Sequence, residues 1–510
     1  MDDIPGQDEI LEKQTDRYDL SFRRNPRSHR YELTLRGRGP GRHSTVHTHF
    51  DLLSDRGEIT ATEPITPQVA RFIFDNFDRR GDTQSFAIYA SELTGQGGRS
   101  ATGEADPKSV RHRLSEAELA YTSTGAKLAY HGAIFDKFRE TGFGSIIRAT
   151  MTLHQVCSSR CQYCSTILRG KADSISLEEA KAFVTALYDD QAAFNRLRFR
   201  DHNARYHTAT GSDIRLRGLI LSGGGQPNLW PHFVPFVEWL AERDIDLGLI
   251  TNGFPRHIDE AVYRRFKWVR LSITPPDASA HYPEGLFEKQ YIPESLKHNP
   301  ATTVGLSYVH GPWSDDATFL RIDRALADFG FDYCRVLADC NLSRGAQIAA
   351  HTALAERLHR LGLTGSDGTP RSRIFHQLKY HGTPGEAAEL WDEGQCHLQI
   401  YNTFWDTTGH EAQGHSFCYP CDSVTVLAEE ANDAHVSVSE RRFNPEKWGT
   451  VPNTQVARLF TEPVRPYFDP RENCGACLFM RNNRTVKALV ADGVPAPALT
   501  PAVLDHVNFP

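Results

Sequence analysis

Cys157-Ser158-Ser159-Arg160-Cys161-Gln162-Tyr163-Cys164 decides how the rest of this chain is read. Three thiols at C-x3-C-x2-C spacing are one ligand short of the four that close a structural zinc site or an electron-transfer iron–sulfur cluster. On a cubane cluster, three thiolates leave one iron with an open position where a small molecule can bind the metal directly. The spacing therefore points to chemistry at iron. Its alternatives are three unrelated buried cysteines, or three ligands of a zinc site with a distant fourth.

Working outward, the residues from about Phe143 alternate short β-rich runs with amphipathic segments, the pattern of βα units on a parallel sheet. Ser145–Leu153, Leu216–Leu221, Leu247–Ile250, Val269–Ile273, Thr303–Val309 and Tyr333–Ala338 predict six strands. Ser176-Leu177-Glu178-Glu179 is a capping box, and Ala180, Phe183, Val184, Leu187 and Tyr188 follow it on one helical face. Phe233, Phe236, Val237 and Leu240 mark a second helix. Phe319, Ile322, Leu326 and Phe329 mark a third, closed by Gly330 in the usual position after a helix end. The pattern weakens after Asn341, so the expected fold class is α/β, a partial (β/α)6 TIM-like barrel over 145–345.

Residues 1–120 differ. They hold hairpin-like runs around Tyr31–Leu35 and Thr48–Leu53, a helix-like Pro67–Phe77 and the glycine-rich Gly95–Gly98, and read as a small N-terminal α+β domain of unassigned role. A linker over 121–144 leads into the barrel. After it come a connecting segment over 346–389, a cysteine-rich domain over 390–485, of the loop-rich kind organised around metal, and a tail over 486–510.

At 510 residues, two or three domains are expected. There is no run of 18 or more apolar residues, and the polar start MDDIPGQDEILEK is not a secretory signal, so a cytoplasmic protein without a membrane partner is expected. A net charge of −7 does not suit a surface built throughout for nucleic acid. Ten cysteines, partly in C-x2-C pairs, read as metal ligands in a reducing compartment.

The cysteine spacing, with Tyr163 just before the third thiol, resembles the signature of the radical S-adenosylmethionine (SAM) superfamily. The resemblance implies a [4Fe–4S] cluster on Cys157, Cys161 and Cys164. Its open iron chelates SAM, which is reductively cleaved to a 5′-deoxyadenosyl radical, and a flavodoxin- or ferredoxin-type protein serves as reductant. In Ser222-Gly223-Gly224-Gly225-Gln226-Pro227, after the second strand, the glycines allow close backbone approach to a ligand. This turn is similar to the family's Gly-Gly-Glu-Pro, whose carbonyls bind the amino group of SAM, with Gln226 in place of Glu. Thr251-Asn252-Gly253 is similar to a further recurrent turn, and Ser272 stands where relatives place a serine near the SAM ribose or carboxylate. Where many carry an arginine about a dozen residues later, this chain has His281, Glu284 and Lys289. Tyr163, Gly223, Gly224, Gly225, Gln226 and Ser272 are thus the candidate SAM-binding residues.

Cys396, Cys418, Cys421, Cys474 and Cys477 resemble the SPASM/twitch extension that holds an auxiliary [4Fe–4S] cluster. Five candidates exceed the four that one cluster needs, so either Cys418 or Cys421 is a bystander. A zinc ribbon on Cys418, Cys421, Cys474 and Cys477 is the alternative, and it leaves Cys396 unexplained. Cys334, at the start of the sixth strand, reads as a buried small hydrophobe, and Cys340, at its end, as a candidate hydrogen-atom donor.

Arg23, Arg24, Arg27, Arg30, Arg36, Arg38 and Arg42 form a basic tract that reads as a solvated hairpin face, with phosphate or RNA binding as its alternative. The expected activity is hydrogen abstraction from an unactivated carbon of a peptide or small natural-product (sugar- or aminocyclitol-like) substrate, giving oxidation, epimerisation or cross-linking. The alternatives are a radical SAM enzyme that modifies RNA and a zinc- or iron-dependent nucleic-acid-binding protein without SAM chemistry.

Overall fold

The computed structural model describes residues 11–14, 18–24, 31–37, 45–50, 116–122, 125–159, 161, 163–164, 172–253, 258–273, 301–339, 344–364, 372–377, 395–407, 410–414, 416–421, 426–427, 435–436, 451–464, 479–493 and 499–510. Pro67–Phe77, Gly95–Gly98, His281, Glu284, Lys289, Cys340, Cys474 and Cys477 lie outside these residues.

Near the N-terminus, β1 (Leu11–Gln14), β2 (Tyr18–Arg24), β3 (Tyr31–Gly37) and β4 (Thr45–Phe50) form an antiparallel meander in chain order. β3 and β4 are the two expected runs, while β1 and β2 are additional.

The six expected strands are present: β5 (Arg148–Met151), β6 (Gly218–Leu221), β7 (Asp246–Thr251), β8 (Trp268–Ile273), β9 (Thr303–His310) and β10 (Tyr333–Ala338). They are adjacent, parallel and in chain order. The sheet does not stop at six. β11 (Ile374–Gln377) adds in parallel beside β10, and β12 (Asn402–Asp406) adds in parallel beside β5. β13 (Phe417–Tyr419) and β16 (Val451–Pro452) then continue it antiparallel, making ten strands, with the small β14 (Val426–Leu427) and β15 (His435–Val436) paired separately. Part of the cysteine-rich segment thus belongs to this same sheet. β12 carries no alternation to read, because all five of its residues are buried. β11 is only four residues long.

Register divides the parallel sheet into two faces. Ala149, Met151, Leu219, Leu221, Leu247, Leu249, Val269, Leu271, Val304, Leu306, Cys334 and Val336 share one apolar core. Against it pack the helix Leu177–Thr185 through Phe183 and Val184, the helix Phe233–Ala241 through Phe236 and Val237, and the helix Asp316–Asp328 through Phe319 and Ile322. The capping box is formed, with Glu179 N–H donating to Ser176 Oγ and Ser176 N–H to Glu179 Oε2. Cys334 is fully buried, as expected, and burial pushes its thiol pKa up.

The other face carries Arg148, Thr150, Gly218, Ile220, Asp246, Gly248, Ile250, Trp268, Arg270, Ser272, Thr303, Gly305, Ser307, Tyr333 and Arg335. Its lower end, at the strand starts, is filled. A Cβ on Gly248 would lie 2.3 Å from the Trp268 ring, one on Gly305 2.1 Å from the Tyr333 ring, and one on Gly218 2.1 Å from Asn508 O. Residues 499–510 cover this end, where Asn508 Nδ2 donates to Asp246 Oδ2, Arg148 Nη1 donates to Pro510 O and Phe509 packs on Trp268. Among the described residues no helix is long and apolar enough to cross a membrane.

Two buried histidines fasten this segment. Val507 O can only accept, so His131 Nε2 carries the proton at 3.1 Å and Nδ1 accepts from Tyr206 Oη at 2.8 Å. His506 Nε2 meets Thr303 Oγ1 at 2.9 Å. Burial lowers both pKa values from 6.5 to about 3, so both rings are neutral in the folded chain. Below pH 6.5 the unfolded chain takes up protons that the folded one refuses, so stability falls as pH falls through 6.5 towards 3. Each ring contributes up to about 1.4 kcal/mol per pH unit in that window. The melting temperature should therefore drop between pH 7 and pH 5, and His131→Asn should flatten the slope. An unchanged slope in that variant rules out His131 as a source.

Candidate functional site

The cysteine loop leaves the C-terminal end of β5, the end of a parallel strand where ligands gather in α/β folds. Its base is tied on both sides: Gln155 N–H donates to Asp173 O at 3.0 Å and Ile175 N–H to Leu153 O at 3.1 Å. Cys157, Cys161 and Cys164 are all partly exposed. Cys164 N–H donates to Cys161 O at 3.1 Å, and Ser159 N–H points to Cys157 Sγ at 3.4 Å. Among the described residues no three His, Cys, Asp or Glu side chains are drawn together around a single-ion position. A cubane places each thiolate on a different iron, so its ligands stand further apart than those of one ion.

The glycine turn after β6 lies against the first residues of the cysteine loop. A Cβ on Gly224 would overlap Gln155 Oε1 at 1.6 Å, and one on Gly225 would meet Val156 O at 2.5 Å and His154 O at 2.6 Å. Gly223 has φ +147°, where a side chain is strained. Gln226 N–H donates to Val156 O at 2.7 Å, and His154 Nε2 donates to Gln226 O at 2.7 Å. Burial holds the His154 pKa below its usual value, opposed by this hydrogen bond, so the ring acts as a neutral donor.

Side chains join the turn after β7 to the same place. Asn252 Nδ2 donates to Ser158 Oγ at 2.9 Å and to Ser159 Oγ at 2.6 Å, and Ser158 Oγ donates to Gln226 Oε1 at 2.7 Å. The three motif-bearing loops, from β5, β6 and β7, thus form one hydrogen-bonded body. Gln226 itself is buried. Its Nε2, and the buried Thr152 Oγ1 beside Gly223, have no partner among the described residues. Buried polar atoms of this kind are normally satisfied, so a polar ligand fits here.

The Tyr163 ring lies 5.7 Å from that of Trp313, in the loop after β9. Ser272 is half-buried on the polar face of β8. The structure therefore brings Cys157, Cys161, Cys164, Gly223, Gly224, Gly225 and Gln226 together, with Tyr163 set towards β9. Ser158, Ser159, His154 and Trp313 were not singled out from the sequence. The first two occupy variable positions of the cysteine signature, where spacing gives no signal.

The C-terminal cysteines separate into two environments. Cys396 is buried beside the short turn His397–Ile400 and donates from Sγ to Asn483 Oδ1 at 3.4 Å, in the helix Met480–Asp492. Cys421 packs against the same apolar cluster as Cys396, Leu398 and Tyr401. Cys418, three residues earlier on β13, sits instead in the main sheet core with Trp405 and Val451. Burial pushes its thiol pKa up.

No family model matches the chain, and no curated protein matches it in sequence. Solved structures similar to it include Streptococcus suis SuiB bound to S-adenosylmethionine, at TM-score 0.38 and 10% identity over 64% of this chain and 69% of that one. SuiB bound to its precursor peptide SuiA gives 0.39 and 10%, over 65% and 68%. BtrN in complex with AdoMet and 2-DOIA gives 0.23 and 10%, over 64% and 92%. With every score below 0.5, the functional reading rests on the chain's own residues.

Two substitutions test the three-loop body. Gly225→Ala forces a Cβ into backbone carbonyls, and Asn252→Ala removes two buried donations. Each is expected to cost about 1–3 kcal/mol, read as a lower melting temperature by circular dichroism. A wild-type melting temperature for Asn252→Ala would show that the tie contributes nothing.

Proposed function

We propose that this chain is a radical SAM enzyme that abstracts hydrogen from an unactivated carbon of a peptide or small natural-product substrate. The observation that carries the reading is the body formed by the Cys157–Cys164 loop, the Gly223–Gln226 turn and Asn252, set at the C-terminal ends of neighbouring parallel strands beside a polar sheet face. The donor set suits a [4Fe–4S] cluster with one open iron, and the glycine cradle suits the ammonium group of SAM. When bound and reduced, that pair supplies a 5′-deoxyadenosyl radical.

The roles of the chain's own groups follow from their chemistry. Cys157, Cys161 and Cys164 hold the cluster. Carbonyl oxygens of Gly223, Gly224 and Gly225 receive the ammonium group, with Gln226 keeping the turn in register with the loop. Tyr163, held on Trp313, closes one side of the SAM position, and Ser272 offers a hydroxyl from the polar face. The apolar helices behind the sheet exclude water and stray hydrogen donors from the radical. A flavodoxin- or ferredoxin-type protein in the cytoplasm is the proposed electron source, and Cys340 the proposed hydrogen donor where the outcome is epimerisation.

The C-terminal segment is proposed to hold an auxiliary [4Fe–4S] cluster on Cys396, Cys421, Cys474 and Cys477. Cys396 and Cys421 share one apolar cluster, and the helix Met480–Asp492, three residues after Cys477, packs beside them. Cys418 faces the opposite core and is the bystander. That separation also speaks against a zinc ribbon, which needs Cys418 and Cys421 on one ion.

Anaerobic reconstitution should give about eight irons per chain. SAM and a strong reductant should then yield 5′-deoxyadenosine. Cys161→Ala should abolish that product and remove about four irons. Cys421→Ser should also remove about four, while Cys418→Ser should keep the full complement. Absence of 5′-deoxyadenosine from an iron-replete wild-type protein sinks the enzyme reading. A content of about four irons and one zinc sinks the auxiliary cluster alone.

A further inference from the structure

We propose that Gln155 is a positioning residue: it ties the Gly223–Gln226 turn to the end of β12, so that Asp406 and Thr407 of the C-terminal segment help to set the cradle for the SAM ammonium group. This rests on the radical SAM reading and adds a further residue to that same site. In the sheet, β5 has β6 on one side and β12 on the other, and Gln155 stands beyond the end of β5, between the exits of both neighbours.

One amide makes both contacts. Gln155 Nε2 donates to Asp406 Oδ1 at 3.2 Å and to Thr407 Oγ1 at 2.9 Å. A primary amide carries its two N–H donors on one atom, so two acceptors on the β12 side turn Oε1 the other way, towards the glycine turn. There a Cβ on Gly224 would lie 1.6 Å from Oε1 and 2.6 Å from the amide carbon. The amide thus fills the space that any other residue's side chain would take at position 224. Gln155, Asp406 and Thr407 are all buried, where hydrogen bonds are stronger than in water.

Further ties run between the same two segments. Thr152 N–H donates to Trp405 O at 2.9 Å, and Glu411 N–H donates to Asp173 Oδ1 at 3.0 Å, the residue whose carbonyl accepts from Gln155 N–H. Residues 405–411 therefore grip the base of the cysteine loop from the side away from the glycine turn, and the Gln155 amide carries that grip through to the turn. An ammonium group binds well only when its acceptors are already held at hydrogen-bond distance. Removing the Gln155 amide, or its β12 acceptors, leaves the three thiols in place but lets the turn carbonyls drift. The cost then falls on the ammonium group.

Two measurements on the full-length reconstituted protein test this. The first is hydrogen–deuterium exchange before SAM is added, read by mass spectrometry on peptides covering 218–229. Gln155→Ala and Thr407→Val should speed exchange there several-fold, Thr407→Ser should keep the wild-type rate, and peptides of β9 should be unaffected in all three. The second is equilibrium binding of SAM and of its deaminated analogue, in which hydrogen replaces the amino group. Thr407→Val should weaken SAM several-fold and the analogue little, a loss of discrimination that general loosening does not produce. The proposal is overturned if exchange over 218–229 in Gln155→Ala and Thr407→Val matches the wild type or rises equally in β9, or if both ligands are weakened equally. Failure of the radical SAM reading is distinguishable, because the wild type itself then binds neither ligand and yields no 5′-deoxyadenosine.

Discussion

One parallel register runs through β5 to β10, and it confines charge to a single face of the sheet. Alternate residues of every strand enter either the apolar layer under the helices or the polar interior, and a slip of one residue would exchange the two sets. Arg148, Asp246, Arg270 and Arg335 all fall on the interior side, so none has to be buried under the helices. Among the described residues the lower interior is filled by rings laid over Gly248 and Gly305 and by residues 499–510.

The loops at the C-terminal strand ends are held mainly by hydrogen bonds. Asn252, Ser158 and Gln226 connect the exits of three strands. The Gln226 side chain is buried and accepts one hydroxyl proton from Ser158. Glycines 224 and 225 make the contact between turn and loop close enough for the relay to form.

The same alternation sorts the later cysteines. On β13 the thiol of Cys418 turns into the sheet core, and Cys421 lies past the strand end, near Cys396. C-x2-C spacing alone suggests a pair that bites one metal. Inside a strand that spacing does not keep both thiols on one side, and the ladder to β12 and β16 separates them here.

Much of the parallel sheet was legible in the chain itself. Six strands, the capping box at Ser176 and the buried faces of three helices follow from short-range periodicity, because each depends on which residues must leave water. The three-cysteine loop was legible because metal ligation constrains spacing directly. β11 and β12 were not, since four residues, or five wholly buried ones, carry no alternation. Arg270 left a trace, a charge inside an apolar run, but its place in the floor beside Trp268 and Tyr333 depends on what packs over it. That packing joins residues as far apart as Gly218 and Asn508, and only the folded sheet brings them into contact.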